Sequence, residues 1–71
     1  MEKAIAKKIL PMVNNQDEFA TLLLYVDSRI ETMRSYLEST KDHTKILEIQ
    51  GAIAELRRFH TLREQAIEGA K

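Results

Sequence analysis

The 71-residue chain has no cysteine and no tryptophan, one proline and two glycines. Without cysteine there can be no disulfide framework and no thiolate metal site. The two histidines alone cannot complete a structural zinc site. A chain this short encloses little volume, and a single core of its size supplies only about 3–5 kcal/mol of net stability. With disulfides and metal removed, a partner subunit is the remaining staple. The expectation is a homo-oligomer that needs no cofactor. A long hydrophobic run is also missing. The densest apolar stretch, Phe19 to Val26, contains Thr21 and stops at Asp27. It is far shorter than the roughly 18–20 residues needed to span a bilayer. Lys3, Lys7 and Lys8 break up the apolar residues near the N-terminus, which does not resemble a secretory signal.

Charge of one sign is lacking too. Eleven basic residues balance eleven acidic ones. Nucleic-acid binders usually carry a positive excess because phosphate contacts dominate their affinity, so nucleic acid is not the expected partner. The charge is unevenly spread: residues 1–13 carry +2, residues 14–40 carry −3 and residues 41–71 carry +1. An acidic central segment beside basic flanks favours helix pairing within or between chains.

What is present is helical periodicity. Pro11 lacks an amide hydrogen and disfavours helix at Leu10, so a first short helix is expected to end near Ile9. This basic segment, residues 1–13, forms one expected unit. Isolated short helices are marginal in water, so it should dock on a partner or stay mobile. Asn15-Gln16-Asp17-Glu18 has the form of a capping box, with acidic residues where the helix dipole favours them. Phe19, Leu23, Val26, Ile30, Met33 and Leu37 then follow at steps of 4, 3, 4, 3, 4, an unbroken heptad seam. Leu22 and Tyr36 widen it.

The run Ser39-Thr40-Lys41-Asp42-His43-Thr44 interrupts this period with turn and cap formers. A connection this short makes its flanking helices antiparallel neighbours. In the second helix Ile46, Ile49, Ile53 and Leu56 continue the spacing. Beyond Leu56 the strict heptad falls on His60, Arg63 and Ile67, while the apolar residues are Phe59, Leu62 and Ala66. The seam drifts sideways, which predicts a change of packing partner, with the last turns facing another subunit. Gly69 is the expected helix stop. The predicted fold is all-α: an antiparallel two-helix hairpin, about 15–39 and 42–67, within a unit spanning residues 14–71, preceded by the short N-terminal helical segment and assembling into a larger bundle.

Residues with chemical potential are few. The carboxylates recur at helical spacing, but acid–base catalysis needs a cleft that shifts their pKa, and a two-helix hairpin offers none, so no enzyme is expected. His60 and Glu64 share a helical face but lack companion metal ligands. Arg57, Arg58 and Arg63 form the one basic cluster. With Glu55 and Glu64 flanking it, a solvated face is favoured over a nucleic-acid site. Apolar surplus points instead to contact surfaces. Leu24, Tyr25, Leu47, Phe59 and Leu62 are candidate interface residues, and Gly51, beside Ala52 and Ala54, makes a shallow place for close approach.

One stretch carries a resemblance. Phe19, Tyr25-Val26-Asp27-Ser28-Arg29-Ile30-Glu31, Leu37-Glu38 and Ile49-Gln50-Gly51-Ala52-Ile53-Ala54-Glu55-Leu56-Arg57 are similar to small helical-hairpin proteins encoded among the virion-structural genes of tailed bacteriophages. The match runs from Phe19 to Leu62 and leaves residues 1–13 outside. The resemblance implies phage origin and non-catalytic protein–protein work near capsid, portal or tail. It implies a place in the host cytoplasm or in the virion, and other phage structural proteins as possible partners. Two alternatives stand beside it: a phage-encoded regulator that caps a host protein, and a weak nucleic-acid-binding accessory protein using Arg57, Arg58 and Arg63 with the Lys3, Lys7 and Lys8 tail.

Overall fold

A computed structural model describes all 71 residues and is entirely helical. Three helical segments follow one another: α1 (Lys3–Asn14), α2 (Gln16–Ser39) and a third that is broken into α3 (His43–Arg57), a 3-10 turn (Arg58–Thr61) and α4 (Leu62–Ala70). No helix is long and apolar enough to cross a membrane.

The start of α2 follows from its sequence. Asn15 Oδ1 accepts from the Glu18 amide at 3.1 Å. The reciprocal half of the capping box does not form, because the Asn15 amide already donates to Met12 O in the last turn of α1. A single residue thus ends one helix and caps the next. Thr40 closes α2 through its amide on Tyr36 O, and Asp42 opens α3 by accepting from the Thr44 and Lys45 amides at 2.9 and 3.3 Å.

Helices α2 and α3 form the antiparallel pair that the heptad spacing predicts. Val26, Ile30 and Ile53 are buried together, with Leu22, Met33, Leu37, Ile49 and Leu56 packed around them. Tyr36 does not join this stripe. It lies beside the seam rather than on it, and with only one helix opposite, the ring stays 53% exposed.

Two boundaries differ from the sequence expectation. First, α1 does not stop near Ile9 but continues through Pro11 to Asn14. A proline inside a helix costs about 3 kcal/mol through its missing donor and its clash with the preceding turn. Pro11 points to solvent, where water can reach the carbonyl it leaves unpaired. Ala6 and Val13, seven residues apart and so on one side, are both buried, and Val13 can reach its place only if the helix persists past Pro11. Tertiary packing overrides the local preference.

Second, the helix after the hairpin turn is not one rod from 42 to 67. It tightens to a 3-10 turn after Arg57 and then resumes as far as Ala70, so Gly69 is internal rather than terminal. The break lies where the apolar seam drifts, and it redirects the chain from α2 to α1. Gln65 Nε2 braces it by donating to Arg58 O and Thr61 Oγ1 at 3.0 and 2.9 Å. The last turns therefore face α1 of the same chain. That contact is made of small side chains: Ala66 and Ala6 are fully buried, and Gly69 lies against Ala6 and Met1.

The chain remains open in shape. Its radius of gyration is 14.8 Å, where a compact chain of this length would have about 11 Å. Only six of 71 residues are buried.

Two measurements check this architecture. Ile53→Ala should lower stability by about 2–4 kcal/mol in urea unfolding followed by circular dichroism, removing most of the helical signal at modest denaturant. The glycines should respond oppositely. A Cβ on Gly51 meets nothing within 4 Å, so Gly51→Ala should stabilise by about 0.5–1 kcal/mol. A Cβ on Gly69 would lie 3.0 Å from Ala6 Cβ and 3.1 Å from Met1 O, so Gly69→Ala should lose that gain in a thermal melt.

Candidate interaction surface

Two polar side-chain bonds join distant parts of the chain. His60 Nε2 lies 2.7 Å from Asp27 Oδ1, tying the 3-10 turn to α2. Arg63 Nε donates to Asn14 Oδ1 at 3.0 Å, tying the start of α4 to the end of α1. The pairings are out of register: Asn14 and Asp27 are thirteen residues apart, and His60 and Arg63 only three. A groove lined by Val13, Gln16, Phe19, Ala20 and Leu23 lies beside Arg63, at the junction of α1 and α2.

Both bonds lie on one side of the molecule. Ala20 and Leu23 in that groove are seven and four residues before Asp27, on the same side of α2. Asp27, Glu31, Arg34, Arg57 and His60 then line the adjoining depression over Ile30. This side is dense in charge of both signs, with Arg34 donating to Glu31 at 3.0 Å.

The basic cluster is dispersed. Arg57 turns to the charged depression, Arg58 pairs with Glu55 at 3.2 Å, and Arg63 is taken by Asn14. The three arginines do not make one patch. His60 is engaged by Asp27 rather than placed beside Glu64 as a ligand pair, and no group of three or more His, Asp or Glu side chains is placed to hold a metal ion. The signal for the His60–Asp27 bond was its place on the strict heptad after Leu56, which aims it at α2.

The candidate interface residues separate into two sets. Tyr25 precedes Asp27 by two positions, about 200° around an α-helix, and so lies on the opposite side from the His60 contact. Phe59 precedes His60 in the 3-10 turn and also points away from that contact. It lines a shallow apolar site with Leu62 between Glu55, Arg58 and Gln65. Leu24, at 72% the most exposed of the large apolar residues, sits on the outer edge of α2. Leu47 and Gly51 are both exposed on α3, on the helix face that also carries Arg58 of the Phe59–Leu62 site. Composition alone did not mark Ile5 and Met12 as surface residues. They are seven apart on one side of α1, 49% and 39% exposed.

Removing the His60–Asp27 bond tests how much it fastens. Both side chains are about half exposed, so His60→Ala should cost less than about 1 kcal/mol in urea unfolding. A loss above about 2 kcal/mol would contradict that exposed geometry.

Comparison of the chain with protein-family models, with curated proteins and with solved structures finds no match.

Proposed function

We propose that this chain is a non-catalytic interaction module that works by self-association. One observation carries the reading: the surface is too large for the mass. The chain exposes 5345 Å² at 8.2 kDa. A compact monomer of that mass would expose about 4,500 Å². The surplus of about 800 Å² is what one partner contributes to a standard protein–protein interface. Eight large hydrophobic side chains stand in that surface, among them Leu24, Tyr25, Tyr36 and Leu47.

The setting we propose is virion structure or assembly in a tailed bacteriophage, which rests on the resemblance carried by residues 19–62. A regulator capping a host protein would use the same kind of exposed surface. The dispersal of Arg57, Arg58 and Arg63 gives the nucleic-acid alternative no support.

Light scattering coupled to size exclusion at micromolar concentration tests self-association. The expected mass is at least twice that of the chain. A folded monomer across the whole range overturns the reading. Co-purification with assembled phage particles, rather than with a host protein, is the outcome expected of the structural role.

A further inference from the structure

We propose that α1 is an exchangeable arm: α1 and α2 merge into one continuous helix, and α1 docks on α4 of a second copy, whose own α1 docks in return. The proposal rests on the self-association reading and deepens it by naming the segment exchanged. Two independent observations carry it, one in the backbone and one in the sequence.

In the backbone, Asn15 is the one non-helical residue between α1 and α2. Its φ of −81° is already near the helical value, and only its ψ of 102° departs from it. Rotating that single angle joins the two helices into one from Lys3 to Ser39. The break is bridged by two hydrogen bonds: the Asn15 amide donates to Met12 O, and the Glu18 amide to Asn15 Oδ1. In a continuous helix the amides of residues 15–18 would instead donate to the carbonyls of Pro11, Met12, Val13 and Asn14, four bonds in place of two. Within the chain, rotation dissolves the elbow groove lined by Val13, Phe19, Ala20 and Leu23, and it lifts α1 from α4. Yet α1 packs mainly on α4, through the small residues Ala6, Ala66 and Gly69 and the Asn14–Arg63 bond. Both contacts are available unchanged from a second copy.

In the sequence, the heptad seam of α2 does not begin at Phe19. Counting back from Phe19 by steps of 3, 4, 3 and 4 gives Gln16, Met12, Ile9 and Ile5. The frame thus runs from Ile5 to Leu37 with Gln16 as its one polar member, and single polar residues occur in coiled-coil seams. The break at Asn15 takes the first part out of line and leaves Ile5 and Met12 exposed. In the merged helix they rejoin the seam. Ala6 and Val13 each follow a seam residue by one position, about 100° round, so the face that grips α4 is distinct from the seam. One α1 can therefore hold the partner's α4 and lay its seam against the partner's merged helix. Each copy releases one α1 and one α4, so the exchange closes in a two-fold pair.

Gln16→Pro separates the two forms. Gln16 is the first residue of α2, where proline fits, and Asn15 already has the extended backbone that precedes proline. Inside a continuous helix the same proline loses the bond to Met12 O and clashes with the preceding turn. Light scattering across a concentration series should find Gln16→Pro folded by circular dichroism, with a dissociation constant raised about a hundredfold or more. Gln16→Ala should associate at least as tightly as the unaltered chain. Asn15→Ala removes the cap and favours helix, so it should lower the constant about tenfold, and it decides the matter if Gln16→Pro does not fold. The chain has no cysteine, so single thiols can be placed cleanly. Chains with Asn14→Cys are mixed with chains with Arg63→Cys and treated with a short bis-maleimide. A link between positions 14 and 63 of different chains is expected, since these positions meet across the α1–α4 contact. Unchanged association of Gln16→Pro, no effect of Asn15→Ala, or absence of that link in a demonstrated oligomer overturns the exchange and leaves self-association standing. A monomer at every concentration overturns both.

Discussion

The fold depends on the burial of three side chains, Val26, Ile30 and Ile53, between two antiparallel helices. This contact fixes which side of α2 faces inward, and every other placement follows from that rotation. Asp27 falls beside the seam and meets His60. Tyr25 falls on the other side and stays exposed. A seam one helix wide cannot also enclose Tyr36 or Leu24. The hydrophobic effect rewards area removed from water, and a lone helical pair removes little of it. The open surface is therefore a consequence of the core's geometry, not an addition to it.

The second contact, α1 on α4, works differently. It gains by close approach, with Ala6, Ala66 and Gly69 letting two backbones come near enough for dispersion to act along their length. Such a contact is sensitive to added volume and tolerant of little else. It also explains how a proline-bearing segment stays helical: Val13 and Ala6 hold both ends of α1 on the same partner.

The hairpin was legible because its signals agree. Heptad steps, the Asn15 cap and the turn-forming run between Ser39 and Thr44 all point to one arrangement. The break after Arg57 was legible only as a drift in the apolar seam. The drift gave the change of partner but not its identity, because nothing local distinguishes another subunit from an earlier segment of the same chain. Residues 1–13 were misread at Pro11 for a related reason. Local rules describe what the backbone prefers in water, whereas Val13 is buried beside Arg63 of α4, whose bond to Asn14 spans 49 residues. Of the candidate surface, Tyr25, Phe59 and Leu62 were found as surplus apolar residues. Ile5 and Met12 were not, since their exposure depends on which side of α1 the docking on α4 leaves open.

Docking α1 on α4 also brings the two ends of the sequence together. Met1 lies against Gly69, two residues from the last. The path is nearly a closed loop, open at the α1–α4 contact and turning back at Thr40–Asp42. A short linker could join the ends there, and the chain could be reopened at the hairpin turn, where the backbone is exposed and only two caps would be disturbed. Bulky fusions at either end would meet at the same place, beside the small-residue contact that holds the arms together. The hairpin turn is the end of the molecule left free for attachment.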